Sequence, residues 1–322
     1  MQFNDIYQVV ETEFARTNEI ILEQLSSNVP MVEKIGHHII ESGGKRMRPL
    51  LVLLAAKALE SNEQNHPLLA SIIEFLHTAT LLHDDVVDTS DMRRGKATAN
   101  AAFGNAPSVL VGDFLYSRAF EMMVQLGSME VMAILSNATC VIAEGEVMQL
   151  MNVKNPNVGE DKYMDVIQGK TAMLFEASSH SGAKLANASP EQAEALRLFG
   201  HHLGMAFQLV DDVLDYIGNA DELGKNVGDD LAEGKPTLPL IFAMQNASQE
   251  QADVIRQAIR KGGTEDLPKI IEIVQSCGAI DYTQQKAQEH VNQACEAIAI
   301  LADTPAKQAL QTLADMAINR NK

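Results

Sequence analysis

Apolar residues recur with the period of an α-helix along almost the whole chain, and the strict alternation that marks half-buried strands is absent. Pro49, Pro107 and Pro190 suit the first turn of a helix, whereas Gly43 and Gly44 end one. The pattern predicts long helices over 4–26, 30–42, 49–59, 67–89, 107–126, 129–152, 160–186 and from 190 through 215. Shorter helices are expected from 236 onward. No segment rich in Pro, Ser or Gly divides the chain, so one all-α domain over 1–322 is expected.

Two of these helices end in the same acidic pattern, Asp-Asp-x-x-Asp, at 84–88 and at 211–215. The first and last Asp of each pattern are four residues apart, which places them on one helix face about one turn apart. Carboxylates so arranged repel one another, and oxygen ligands suit Mg²⁺, which accepts substrate phosphates as further ligands. One such motif is a weak signal, because acidic helix ends are commonly solvated, but two in matched apolar settings predict a site for Mg²⁺ and a diphosphate. The candidate metal ligands are Asp84, Asp88, Asp211, Asp212 and Asp215, and Asp85 is a further candidate catalytic carboxylate.

Composition narrows the possible partners and the compartment. The formal net charge of −18 argues against nucleic-acid binding, so an anionic substrate must be captured by local basic clusters. The three cysteines, Cys140, Cys277 and Cys295, show no metal or redox spacing, which fits a reducing compartment. Neither a signal peptide nor an apolar run near the ~20 residues of a membrane span is evident. A soluble, cytoplasmic protein is expected.

Basic residues gather at two places in the first third of the chain. The segment 43–49 puts three positive charges on a glycine-hinged loop before a helix N-terminus, where backbone and side chains favour anions. Arg93 and Arg94 follow the first acidic motif closely. Each group alone could be a solvated basic surface. His77 lies two turns before Asp84 on the same helix face, where it is either a core residue or one that reaches the acidic site.

The second half of the chain adds isolated polar candidates, each of which by itself would be an ordinary surface residue. They are Lys170, Thr171, Gln208, Lys225 and Lys235. Lys225 and Lys235 lie in the polar, Gly-containing segment 219–236, which is a candidate active-site loop. His83, His201 and His202 are expected to be structural.

Taken in order, these segments resemble the trans-isoprenyl diphosphate synthases, or trans-prenyltransferases. The likeness covers nearly the whole chain and is carried by the segments 43–49, 77–88, 92–95, 169–171, 207–215, 224–231 and 234–237. No motif position departs from the family pattern. The segment 143–150 favours the octaprenyl-forming bacterial branch of the family.

The resemblance implies an antiparallel helix bundle around a deep central cavity, usually as a homodimer. About two or three Mg²⁺ ions would bridge the acidic motifs and the diphosphate of an allylic substrate such as farnesyl diphosphate. The positions that match the isopentenyl diphosphate site are Lys45, Arg48, His77 and Arg94. Those that match the allylic diphosphate site are Arg93, Lys170, Thr171, Gln208, Lys225 and Lys235, with Lys170 also in the catalytic set.

The function that the resemblance implies is the condensation of farnesyl diphosphate with successive isopentenyl diphosphates, to about octaprenyl length, for a quinone side chain. A shorter- or longer-chain synthase, from geranylgeranyl to nonaprenyl, is the main alternative. A terpene cyclase is less favoured, since those enzymes usually carry one such acidic motif and a different second metal motif. A non-catalytic partner subunit usually lacks some of the acids, and a plain Ca²⁺ or Mg²⁺ module would need a loop that is absent here.

Product length is expected to depend on the residues one turn before Asp84. These are Ala79 and Thr80, both small, and the first acidic motif lacks the two-residue insertion typical of short-chain bacterial enzymes. A chain of roughly eight five-carbon units is longer than a 20-residue helix of ~30 Å, so its tunnel must run deep between helices. Met123 is a candidate for the tunnel floor. Alternatively, Ala79 is simply a close-packed helix contact.

Overall fold

The structure, a computed structural model, describes residues 3–218 and 227–319. Helices form most of this part of the chain, so the all-α prediction is confirmed. In chain order the helices are α1 Phe3–Gln8, α2 Glu11–Gln24, α3 Pro30–Ile40, α4 Met47–Ala58, α5 His66–Val87, α6 Ala99–Phe103, α7 Asn105–Leu126, α8 Met129–Asn152, α9 Glu160–Ile167, α10 Met173–Leu185, α11 Pro190–Ile217, α12 Asp229–Ala232, α13 Leu238–Asn246, α14 Gln249–Lys261, α15 Leu267–Ser276, α16 Ala279–Ala297 and α17 Pro305–Ile318.

A short antiparallel hairpin follows α5, where the sequence pattern predicted no strand. Its strands are β1 Met92–Arg93 and β2 Lys96–Ala97. Arg94 and Gly95 form the turn with φ values of 52° and 75°, the left-handed conformation that two-residue hairpin turns require. Two residues per strand are too few for an alternating pattern to be visible, which explains why the sequence analysis missed it.

Two predicted helices are interrupted. The range 4–26 breaks between α1 and α2 at Val9 and Val10, whose β-branched side chains are poor in helices. The range 160–186 contains a π-helical turn, Gln168–Ala172, between α9 and α10. Such turns are rare and often mark functional sites.

The chain groups into two compact units. The first comprises 1–139, 174–200 and 297–313. Within it α5 packs against α2, α4 and α7, and Leu50, Phe75 and Phe175 are fully buried in its core. The apolar face of α5 is therefore covered on several sides, which fixes the direction in which its polar C-terminal turn points.

The second unit comprises the described residues within 140–173, 201–296 and 314–322. Its core includes Tyr163 from α9, Leu209 from α11, Ile241 from α13 and Ile255 from α14. The second acidic motif thus begins directly after the buried residues of α11. The expectation of a single domain over 1–322 stays a prediction.

The sequence analysis expected no apolar run long enough to span a membrane, but one described helix is of that kind. Helix α8 is long and apolar enough to cross a membrane by length and composition, and 28% of its most apolar window is buried. A single such helix is weak support for a membrane span. Several of its apolar side chains are exposed, among them Met129, Val147, Leu150 and Met151.

Candidate active site

The first acidic motif lies at the C-terminal end of α5, within the first unit. Asp84 occupies the last turn, and Asp88, one turn later, caps the helix by donating its N–H to the Asp84 carbonyl at 2.8 Å. Both side chains are half-buried. Asp85 is fully buried and accepts hydrogen bonds from Arg93 Nε and Nη2, the latter at 2.7 Å from Oδ1. The spacing of the motif therefore leaves Asp84 and Asp88 on one face, while Asp85 fixes the Arg93 guanidinium.

Arg48 and His77, both predicted to hold isopentenyl diphosphate, lie next to each other. Arg48 Nη1 is 3.2 Å from His77 Nε2, and its guanidinium lies over the Phe175 ring at 4.2 Å. Burial lowers the pKa of Arg48 to about 10. Burial, followed by the positive charges of Arg48 and Arg94, holds the pKa of His77 well below its usual range. A neutral His77 beside a charged Arg48 suits the binding of an anion.

Glu74 is a member of this basic cluster that the sequence analysis missed. Its Oε1 is 3.9 Å from Arg46 Nε, and its side chain is 12% exposed. Burial raises the pKa of Glu74, and the charges of Arg46, Arg48 and Arg94 oppose that rise. The sequence does place Glu74 one turn before His77 on the same helix. A single acidic residue on an apolar helix was not enough to predict that it belongs to the binding site.

Arg94 folds back over the glycine loop. A side chain at Gly44, which has a φ of 142°, would collide with the Arg94 guanidinium. Glycine is required here both for the backbone conformation and for the close approach. The hairpin and the loop thus bring Arg94 into the same cluster as Arg46, Glu74 and His77, and its role in binding isopentenyl diphosphate stays a prediction.

The second acidic motif lies on α11 in the second unit, and two side chains donate hydrogen bonds to Asp212. Gln208 Nε2 donates to Asp212 Oδ1 at 2.7 Å, and the Tyr163 hydroxyl donates to Oδ2 at 2.5 Å. Gln208 in turn accepts a hydrogen bond from Thr171 Oγ1 at 2.9 Å. Burial, then the charge of Asp230, raises the pKa of Asp212 to about 8. Neighbouring carboxylates therefore repel a negative charge on Asp212, and a bound cation would reduce this repulsion.

This raised pKa predicts how the stability of the metal-free protein depends on pH. Because the folded state binds a proton at Asp212 more tightly than the unfolded state, the free energy of unfolding should fall as pH rises from about 4 to 8. We expect the melting temperature in EDTA to fall between pH 5 and pH 7.5, and Asp212→Asn to flatten this dependence. An equally steep dependence in Asp212→Asn would contradict the assignment. Asp253→Asn, on the exposed surface of α14, serves as the control.

Lys170 is presented by the π-helical turn. Its Nζ lies 2.8 Å from Glu146 Oε2 on α8. A side chain at Gly145 would lie 2.6 Å from the Lys170 backbone nitrogen, so glycine lets α8 approach the turn closely. Glu146 and Gly145 belong to the segment 143–150, which resembles the octaprenyl-forming branch of the family. The sequence alone predicted no structural role for either residue.

Asp215 anchors the segment that carries Lys235. Its Oδ2 accepts a hydrogen bond from the Asp230 N–H at 3.2 Å, and its carbonyl accepts one from Gly228 at 3.0 Å. Lys235 donates its backbone N–H to the Asp230 carbonyl, and its Nζ pairs with Glu233. The predicted candidate Lys225 lies outside the described residues.

The residues predicted to set product length lie on α5 and α7, which pack together in the first unit. Ala79 is 1% exposed, Met123 is 1% exposed, and Thr80 donates its hydroxyl to the His77 carbonyl at 2.8 Å. Ala79 and Met123 are thus core residues of this unit, and their roles in chain length stay predictions.

The acidic residues fit a hard divalent cation in the chemistry of their donors. Within 3–218 and 227–319, no three His, Cys, Asp or Glu side chains form a ready-made metal site. Mg²⁺ usually takes one or two carboxylates and completes its shell with water and substrate phosphates. The pair Asp84 and Asp88, and the charge-crowded Asp212, are donors of that kind.

Comparison with known proteins identifies the family. The model of the polyprenyl synthetase family matches residues 29–275. Octaprenyl diphosphate synthase of Escherichia coli K12 is 51% identical, with 100% of both chains covered. A nonaprenyl diphosphate synthase of Rhodobacter capsulatus, described as specific for geranyl diphosphate, is 50% identical, with 98% of this chain and 97% of that protein covered.

A solved structure gives the same answer for the fold. The polyprenyl synthase of Caulobacter crescentus, complexed with calcium and isoprenyl diphosphate, superposes with a TM-score of 0.97 at 42% identity, covering 100% of this chain and 98% of that one. The matched family segment, the full-length relatives and this fold agree with the motif set read from the sequence. This chain therefore belongs to the polyprenyl synthetase family and is a trans-prenyltransferase.

Proposed function

We propose that the chain is a Mg²⁺-dependent octaprenyl diphosphate synthase that extends farnesyl diphosphate with isopentenyl diphosphate. The observation that carries the product length is the 51% identity, over the whole of both chains, with an octaprenyl diphosphate synthase. The product would serve as the side chain of a quinone. The similar identity with a nonaprenyl enzyme makes a product one unit longer the main alternative.

The reaction breaks the C1–O bond of the allylic diphosphate and leaves an allylic cation. Mg²⁺ would be held with this diphosphate by Asp84, Asp88, Asp211, Asp212 and Asp215, and the bound metal would neutralise charge on the leaving group. Arg93, fixed in position by Asp85, and Lys170, fixed by Glu146, add positive charge where negative charge develops. Preorganised charges of this kind lower the barrier because they need not reorient during the reaction.

The nucleophile is the alkene of isopentenyl diphosphate. Arg48, His77 and Arg94, together with the exposed Lys45, are proposed to bind its diphosphate, which orients the double bond towards the allylic C1. A proton is then lost to give a trans double bond, and the released diphosphate accepts it. The apolar side chains of α5 exclude water, which would otherwise trap the cation as an alcohol.

The two groups of cations are expected to differ in which substrate they bind. Arg48→Ala and Arg94→Ala should chiefly weaken the binding of isopentenyl diphosphate, whereas Lys170→Ala and Lys235→Ala should chiefly weaken the binding of the allylic substrate. Each lost charge-assisted contact should cost about 1.5–3 kcal/mol of binding free energy. Separate titrations of each substrate measure the split. Equal weakening of both substrates in all four variants would contradict it. Arg256→Ala, which removes the half-buried partner of the exposed Asp253 on α14, is the matched control.

Product sizing tests the proposed function directly. The purified protein is incubated with Mg²⁺, farnesyl diphosphate and isopentenyl diphosphate, and the products are measured by chromatography after removal of the diphosphate. A forty-carbon product supports the proposal, and a forty-five-carbon one the nonaprenyl alternative. A cyclic hydrocarbon would indicate a terpene cyclase, and no consumption of either substrate a non-catalytic subunit.

A cytoplasmic homodimer is the proposed state of the enzyme. Helix α7 exposes Leu110 and Val124, and α8 exposes Leu150 and Met151, all of them at least 61% exposed. Apolar side chains of this size on neighbouring segments of the sequence favour burial against a second copy of the chain. A molar mass near twice 35.1 kDa in light scattering would support this state.

A further inference from the structure

The N-terminal helices contact the basic loop of the predicted isopentenyl site, although they precede the family segment 29–275. Tyr7, on α1, donates its hydroxyl to the Lys45 carbonyl oxygen. Asn18, on α2, accepts a hydrogen bond from the Arg46 guanidinium through its side-chain oxygen. Both contacts join residues far apart in sequence, and all of these residues belong to the first unit.

The loop has a backbone conformation that needs such support. Gly43, Gly44 and Arg46 have φ values of 79°, 142° and 43°. Arg46 is not glycine, so its left-handed conformation is unfavourable in isolation. Conformations of this kind persist only where neighbouring groups hold them.

An open pocket of about 520 Å³ borders the loop, and Tyr7, Asn18, Gly44 and Arg46 are among the residues that line it. The polar contacts of Tyr7 and Asn18 therefore join the loop to α1 and α2 at the wall of this pocket. A third contact joins Arg46 Nε to Glu74 Oε1 on α5 at 3.9 Å.

We propose that Tyr7, Asn18 and Glu74 are positioning residues for isopentenyl diphosphate, which hold Arg46 and its loop so that Lys45 and Arg48 meet the diphosphate. The Arg46 guanidinium is directed at Asn18 and Glu74, so Arg46 is the anchor of the loop and not a ligand of the substrate. The inference rests on the proposed function, because it assigns these contacts to the isopentenyl site.

The chemistry of Tyr7 suits a permanent anchor. Burial raises the pKa of Tyr7 to about 12, so its hydroxyl stays a hydrogen-bond donor over the pH range of any assay. The Tyr7 ring also meets the Phe14 ring edge-to-face at a centroid distance of 5.0 Å. Replacing Tyr7 by Phe keeps the ring and removes only the donor.

Steady-state kinetics of the full-length enzyme test the proposal. Tyr7→Phe and Asn18→Ala should each raise KM for isopentenyl diphosphate roughly three- to tenfold, as expected for one lost hydrogen bond, while kcat and KM for farnesyl diphosphate stay at the wild-type values. Asn18→Asp keeps an acceptor for Arg46 and should retain the wild-type KM. Tyr116→Phe and Glu19→Gln, at exposed positions on α7 and α2, are the controls.

A second measurement does not depend on activity. If the contacts anchor the loop, trypsin should cleave after Lys45 or Arg46 faster in Tyr7→Phe and Asn18→Ala than in the wild type and the controls. Wild-type cleavage rates together with an unchanged KM for isopentenyl diphosphate would overturn the proposal, as would an equal rise in KM for both substrates. If the wild type turned over neither substrate, the proposed function would fail instead, and the substrate role proposed for the anchor would fail with it.

Discussion

Replacement of Asp84 or Asp211 by alanine is expected to lower kcat by several orders of magnitude, on the order of 10³-fold or more, with the fold intact. Each substitution removes a proposed ligand of the Mg²⁺ that holds the allylic diphosphate. Each also removes one of several neighbouring carboxylates, which relieves repulsion in the metal-free protein. The melting temperature in EDTA should therefore be equal to or above that of the wild type. The measurements are single-turnover rates at saturating substrates and thermal unfolding with and without Mg²⁺.

A matched control separates the loss of a ligand from the loss of a charge. Asp253→Ala removes an exposed carboxylate on α14 and should keep the wild-type rate. Mg²⁺ should raise the melting temperature of the wild type and of Asp253→Ala, and raise it less in Asp84→Ala and Asp211→Ala. Near-normal activity in either purified active-site variant would refute the assignment of the acidic motifs.

Replacement of Ala79 by tyrosine is expected to shorten the product to about fifteen or twenty carbons. Ala79 is buried one turn before Asp84 on α5, which packs against α7. If the growing chain passes between these helices, a bulky ring at this position fills its path directly below the acidic motif. Product length from farnesyl and isopentenyl diphosphates is the measurement, with primer turnover recorded in parallel.

Overpacking of the core is the competing explanation, and it predicts a different outcome. A variant that is merely destabilised would lose yield and melting temperature without a defined shorter product. Ala79→Ser changes the volume little and should give full-length chains. If Ala79→Tyr still released full-length product at normal yield, the chain does not pass this residue, and Met123 would lose its proposed role as the floor.

The helical period and the local motifs were readable from the sequence because both depend on residues close together in the chain. The spacing of the acids placed Asp84 and Asp88 on one face of α5 before any contact was known. The order of the motifs was sufficient to indicate the family. The break at Val9 and Val10 was not predictable, because the helix preference of β-branched residues is only slightly lowered. The hairpin turn was not predictable either, because each of its strands has only two residues and Arg94 is by itself a good helix former.

The sequence by itself determined the all-α class, the two acidic motifs and the basic segments that accompany them. Only the tertiary structure decided the partner of each charged group: Asp85 is buried against Arg93, Asp212 lies between Gln208 and Tyr163, and Glu74 lies among arginines. Most of these partners come from another element of the fold: Arg93 lies on β1, Tyr163 on α9 and Arg46 in the loop before α4, whereas Gln208 lies one turn before Asp212 on α11. Burial raises the pKa of Asp212 and of Glu74 in these contacts. The helical period indicates which face of a helix is buried. It does not indicate which side chain packs against that face, because that depends on contacts with other segments of the chain.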